Sequence, residues 1–225
     1  PQGGGYDKGA DEIGPAAAPL AFAAVLDNFN STNGALSSNW SVNTTSNFKV
    51  DSQQLQSQSN SGHNTWAPSV FGANQEAYVT FSKVGSSSNS STRWQGVTLK
   101  VNGGAANSIN ASAIEVRYSS AQGVQVRSKN AGSGWVNQAI FSIAFSDGDQ
   151  LAAQALADGT VAGFKNGTLV GSINVTTGPN PWLAALAQTG GQIGISYNFS
   201  GGRMDDFGGG ESTPVVTVSV ATEEA

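Results

Sequence analysis

The sequence predicts an all-β protein built as two packed antiparallel sheets, on the strength of three observations. The first is turn chemistry. Within the stretch SDGDQLAAQALADGTVAGFKNGTLVGSINV, Asp158-Gly159 and Asn166-Gly167 are two-residue hairpin signals, because Asn or Asp followed by Gly accepts the positive φ values of a type I′ turn. The second is period. Ala77, Val79 and Phe81 alternate with Tyr78, Thr80 and Ser82, and Thr160 to Lys165 alternates between the two turns, as a half-buried strand does. The third is that no segment carries a convincing helical period, while 29 Gly supply the tight turns of a sheet-rich chain.

Taken in order, the chain of 225 residues reads as one large β domain with extensions, a size common for sandwiches. Residues 1–19 are Gly-rich, then acidic, then a Pro/Ala linker. Residues 20–210 form the main domain. Strands are expected at 20–26, 40–42, 48–50, 55–57, 76–84, 95–101, 113–118, 124–128, 140–145, 150–157, 160–165, 169–175, 192–197 and 203–207. One helical turn is expected at 182–188. Short strands with turns every 8–12 residues are the signature of two sheets packed face to face. Residues 211–225 hold one more strand, with Val216, Val218 and Val220 on one face and Thr217 and Ser219 on the other. A Gly triplet and Pro214 detach it from what precedes. A lone strand is not stable in water, so this one adds to a sheet edge, starts another domain or docks on a neighbouring subunit.

Composition narrows the function classes. Charged residues make up 11 % and the net charge is −5, so the basic footprint of a nucleic-acid binder is missing. Zero cysteines exclude disulfides and thiolate metal sites. Gly, Ser, Asn and Thr fill the polar positions, as on surfaces facing the outside medium. No apolar run reaches the ~18 residues needed to cross a bilayer. The chain starts at Pro1 without an initiator Met, which suggests a processed or excised piece whose export signal, if it had one, is gone. A secreted or cell-surface location is therefore expected. The single histidine, His63, sits in SNSGHNTW with no nucleophile elbow beside it and reads as an exposed loop residue rather than part of a Ser-His-Asp triad.

Five segments then carry a resemblance. DNFNSTNGALSSNWSV (27–42), FGANQEAYVTF (71–81), GDQLAAQALADGTVAGFKNGTLVGS (148–172), GGQIGISY (190–197) and RMDDFGGG (203–210) resemble, in this order, the laminin-G-like, concanavalin-A-like jelly roll of multidomain secreted bacterial proteins. The resemblance implies the fold and leaves the function open. Near the N-terminus, GGYDKGADEIG resembles the closing coil of right-handed parallel β-helix proteins. That would imply a solenoid upstream in a longer protein; a flexible leader is the other reading.

Catalysis is not expected. Glycoside hydrolysis needs a pair of carboxylates, and the catalytic relatives of this fold carry a closely spaced acidic motif on one strand. Here Glu76 and Glu115 stand singly. Asp205 and Asp206 are adjacent, so on a strand they point to opposite faces. The resemblance also implies that the first and last strands lie side by side. Asp27 would then meet Asp205 and Asp206, and a carboxylate from each end, with backbone carbonyls, could clamp a structural calcium ion. The alternative is that these aspartates cap strand ends and accept backbone amides. Asp147-Gly148-Asp149 is a weaker calcium candidate and reads better as a turn.

Sugar rings stack on exposed aromatic platforms. Trp66, Trp94, Trp135 and Trp182 all sit in or beside loop-like sequence and are the carbohydrate-binding candidates, whereas Trp40 in SSNWSV is expected in the core. Two functions remain. One is a non-catalytic module for carbohydrate binding or adhesion, with a polysaccharide or cell-surface glycan as partner. The other is a structural subunit that self-associates into an extracellular fibre or surface layer through its terminal segments.

Overall fold

The computed structural model describes residues 22–42, 47–58, 62–85, 93–104, 110–198 and 201–212. The leader, with its β-helix-like segment, and the segment with Val216, Val218 and Val220, where a strand was expected, lie outside the described residues.

Among the described residues, fourteen strands and one helical turn follow one another: β1 Val25–Asp27, β2 Phe48–Asp51, β3 Gln54–Ser57, β4 Gly62–Thr65, β5 Gln75–Lys83, β6 Trp94–Asn102, β7 Ser112–Ser119, β8 Gly123–Lys129, β9 Val136–Phe141, β10 Gln150–Ala155, β11 Thr160–Lys165, β12 Thr168–Asn174, α1 Ala184–Ala187, β13 Gln192–Asn198 and β14 Arg203–Glu211. They form two sheets. The eight-stranded sheet runs β12-β11-β10-β5-β14-β3-β2, with β1 also on β14, and the six-stranded sheet runs β4-β13-β6-β7-β8-β9. Every pairing is antiparallel. The all-β, two-sheet jelly-roll sandwich expected from the sequence is the fold of the chain.

Alternation places the core. Ala77, Val79 and Phe81 of β5 face inward, as do Ile114, Val116 and Tyr118 of β7, Val124 and Val126 of β8, and Ile193, Ile195 and Tyr197 of β13. Each fully buried side chain of this kind contributes about 1.5–3 kcal/mol. The first and last strands do lie side by side, with Val25 opposite Gly208 and Asp27 opposite Phe207.

Three local expectations are corrected. Asn166-Gly167 has positive φ at both positions (50° and 76°), but at Asp158-Gly159 only Gly159 does, at 89°. There Leu156 N–H donates to Thr160 O and Gly159 N–H to Leu156 O, so that hairpin closes over three residues with glycine in the left-handed position. The strand expected at 140–145 runs instead over Val136–Phe141, because β8 sets its register: Val124 pairs with Phe141 and Ser128 with Val136. Finally, β4 is a strand where a loop was expected. Its sequence Gly-His-Asn-Thr has no apolar alternation to betray it, since β13 and the ring contacts of His63 hold it in place.

Candidate functional site

The face of the six-stranded sheet turned away from the core carries a polar cluster around Glu115. Alternation puts it there: Ile114 and Val116 point inward, so Glu115 and Arg117 must point outward. On the neighbouring strand Arg127 stands opposite Glu115, and Gln125 opposite Arg117. On the other side Thr98 pairs with Glu115 and Gly96 with Arg117. Ser196 of β13 pairs with Gly96 and with His63 of β4.

His63 Nε2 donates to Glu115 Oε1 at 2.9 Å, although three strand intervals separate them. Strands about 4.8 Å apart would hold those backbones about 14 Å apart in a flat sheet. The contact therefore requires this face to be concave.

Glu115 is fully buried and accepts three hydrogen bonds. Oε1 accepts from His63 and from the hydroxyl of Ser196, and Oε2 accepts from Arg127 Nη1 at 2.9 Å. Arg117 Nη1 lies 3.6 Å from Oε2. Burial alone would push this carboxyl up. The hydrogen bond and charge of His63, with the charges of Arg117 and Arg127, outweigh it and hold the carboxyl down at about 2. Burial lowers the Arg117 guanidinium to about 10, against the opposing pull of Glu115.

Two tryptophans flank the cluster. Trp94, half-buried, donates from Nε1 to Ser196 Oγ at 3.0 Å and lies under Arg117, whose Cζ is 3.9 Å from the ring centroid. Trp135, also half-buried, stacks on His63 with centroids 5.3 Å apart and lies 5.5 Å from Arg127 Cζ. Between them the sheet floor is bare. A Cβ on Gly96 would come within 2.3 Å of Val116 O, and one on Gly194 within 2.1 Å of Asn64 O, so no other residue fits at either position. Thr98 Oγ1, Arg117 Nη1 and Arg127 Nε are buried and find no hydrogen-bond partner among the described residues. Buried polar atoms left this way are rare.

The other sequence candidates fall elsewhere. Trp66 and Trp182 are only 6 % and 1 % exposed, which corrects their assignment as sugar platforms. Trp66 packs edge-on against Trp40 at 5.5 Å, and Trp182 Nε1 donates to Lys129 O at 3.0 Å. A loop position did not mean exposure, because both rings pack into the buried core cluster. Trp40 is buried as expected. His63 is 8 % exposed, so its reading as a solvent-facing loop residue is also corrected.

At the β1–β14 closure, Asp27 Oδ1 accepts from Phe29 N–H at 2.8 Å and Oδ2 from Trp40 Nε1 at 2.8 Å. Asp205 Oδ1 accepts from Asp206 N–H at 2.9 Å. Burial pushes the Asp205 carboxyl up, and the charges of Asp206 and Asp27 push the same way against the hydrogen bond. No group of three or more His, Cys, Asp or Glu that could hold a metal ion occurs among the described residues. Asp149 is used in its turn, accepting from Ser146 N–H, Asn166 Nδ2 and Lys165 Nζ. Glu76 lies on the other sheet, where it accepts from Ala23 N–H at 2.5 Å.

Sequence reasoning missed His63, Glu115, Arg117, Arg127 and Ser196 as one group. The available signal was the hairpin Ile-Glu-Val-Arg followed by Val-Gln-Val-Arg, which aligns charged and amide side chains on one face of two adjacent strands.

No known protein-family profile and no curated protein sequence matches the chain. Solved structures do. The carbohydrate-recognition domain of Emp47p superposes with a TM-score of 0.53 at 11 % identity, covering 89 % of this chain and 100 % of that one. An endo-acting O-glycanase structure from human gut microbiota has a TM-score of 0.50 at 13 % identity over 84 % of this chain and 100 % of that one. A point mutant of the endo-β-1,3(4)-glucanase SCLam of family GH16 has a TM-score of 0.50 at 11 % identity, covering 84 % and 96 %. At these identities the likeness shows the fold: the chain is a concanavalin-A-like β-sandwich, a scaffold that carries both lectins and glycoside hydrolases.

Proposed function

We propose that this domain is an extracellular carbohydrate-binding module that works without catalysis, with its binding surface on the concave face of the six-stranded sheet. The observation that carries the reading is the pair of half-buried tryptophans, Trp94 and Trp135, on either side of a glycine-floored polar cluster with unpartnered donors. Ring edges and faces for stacking next to fixed polar groups are what a saccharide site needs. The Emp47p carbohydrate-recognition domain, built on the same fold, supports it.

The acid content of the face supports the non-catalytic half. Glu115 is the only Asp or Glu in the six strands of that sheet. Hydrolysis calls for two carboxyl groups about 5–9.5 Å apart, one of them protonated at working pH. Glu115 has no such companion in its sheet, and its cationic neighbours keep it ionised.

The test is a titration of the full chain against a panel of neutral and acidic oligosaccharides, with Trp94→Ala and Trp135→Ala variants alongside. Binding by the parent, lost or weakened at least about tenfold in both variants, is expected, since each stacking contact contributes about 0.5–1.5 kcal/mol beyond its buried area. Binding that both variants retain, or release of reducing ends that Glu115→Gln abolishes, contradicts it.

We also propose a structural calcium ion at the β1–β14 closure. The raised Asp205 carboxyl, beside Asp206 and Asp27, supports it, because a divalent cation relieves that repulsion. Asp27 would share oxygens already hydrogen-bonded, with backbone carbonyls completing the shell.

A further inference from the structure

We propose that the saccharide received by the concave face is an acidic one, whose carboxylate or sulfate is held by Arg117 and Arg127. The proposal rests on the carbohydrate-binding reading above and names the ligand class of that same site.

The charge balance of the face comes first. Among the described residues, Arg117 and Arg127 share it with one carboxylate: Arg127 stands opposite Glu115, and Arg117 follows Glu115 two positions along β7 on the same side. Glu115 carries a single negative charge, already shared between Arg127 at 2.9 Å and Arg117 at 3.6 Å, and it also accepts from His63 and Ser196. The face therefore keeps an excess of positive charge. It does so in a chain whose net charge is −5 and which holds 10 Lys and Arg in all. Such an excess in a buried setting is costly unless something anionic meets it.

The geometry of the donors comes second. Arg117 is 6 % exposed, and its Nη1 finds no hydrogen-bond partner among the described residues; neither does Nε of Arg127. Both guanidinium groups are held in place. Arg117 lies on Trp94, and its Nε donates to Gln125 Oε1 at 2.7 Å. Arg127 is fixed by Glu115 and lies near Trp135. Planar guanidinium groups fixed in advance lose little freedom when they bind, and their fork matches two oxygens of a carboxylate or sulfate. Hydroxyl groups of a neutral sugar are the weaker acceptors for such donors. Thr98 Oγ1, also unpartnered among the described residues, adds a neutral hydrogen-bonding group on the same floor.

Calorimetric titration of the full chain with two matched pairs tests this: oligogalacturonate against its methyl ester, and sulfated against unsulfated dextran oligosaccharides. The charged member of at least one pair is expected to bind about tenfold or more tighter than its neutral counterpart, a preference that fades as salt rises. A preference in the first pair alone assigns a carboxylate ligand, and in the second alone a sulfated one. Arg117→Gln should erase the preference while Arg117→Lys keeps part of it; if the Gln variant does not fold, the two pairs on the parent chain decide. Equal affinity within both pairs, or tighter binding of the neutral members, overturns the acidic-ligand proposal and leaves the carbohydrate reading standing. No binding in any of the four titrations overturns both.

Discussion

Glu115 and Asp205 are both carboxylates set within one β-sandwich, and the protein shifts them in opposite directions. Glu115 on the six-stranded sheet is held down at about 2 by His63, Arg117 and Arg127, which overcome complete burial. Asp205 on the eight-stranded sheet is raised by burial and by the negative charges of Asp206 and Asp27. What separates them is the company each keeps. One face gathers cations around a single acid and has donors left over; the strand closure gathers acids without a cation among the causes that act on Asp205. On the proposals above, the first would take an anionic group arriving from outside and the second a metal ion. The two carboxylates, shifted in opposite directions, thus lie on opposite sheets of one fold.

The largest effect should come from breaking the first. Glu115→Leu strands two guanidinium groups in a buried setting and is expected to lower unfolding free energy by about 3–5 kcal/mol, read by chemical denaturation. Calcium sharpens the second. At free ion ~100-fold above its dissociation constant, the melting curve should rise by the equivalent of roughly 2.7 kcal/mol, and a chelator should reverse it. A melting curve indifferent to both removes the calcium proposal.

Acid separates the two carboxylates by sign. The folded value for Glu115 lies below its ordinary one, so its stabilisation is complete above about pH 4.5 and is lost as pH falls toward 2. Asp205 is raised, so its contribution is present at low pH and is lost as pH rises through its folded value. Stability measured from pH 6 to pH 2.5 should therefore fall less steeply in Glu115→Gln than in the parent. The smallest effect is Asp205→Asn, a gain below about 1 kcal/mol near neutrality that disappears in acid. A loss there instead would show that the carboxylate is already paired with a cation.

Sheet and core were legible because they follow local rules. Alternation in β5, β7 and β13 marks which side chains go inward, and glycine turns mark where strands end. The site was legible only in fragments. Trp94 and Trp135 stood out as aromatics beside loops, but so did Trp66 and Trp182, and only long-range packing decides which rings close the core. His63 and Glu115 are 52 residues apart, and no local pattern announces a contact made across two intervening strands of a curved sheet. The strand closure was readable in advance through its resemblance to known jelly rolls. The hydrogen bonds that Asp27 makes to Phe29 and Trp40 were not, because they depend on where Trp40 is buried.

The five indoles give the most direct test of carbohydrate binding on the concave face. In a ¹⁵N-resolved NMR titration with the tightest-binding oligosaccharide, each Trp side-chain N–H reports separately. Trp40, Trp66 and Trp182 are core residues and act as internal controls. The indole signals of Trp94 and Trp135 should move with saturating dose dependence while those three stay in place. Shifts confined to Trp40, Trp66 or Trp182, or saturable binding that leaves Trp94 and Trp135 unmoved, would contradict the assignment of the concave face as the binding site.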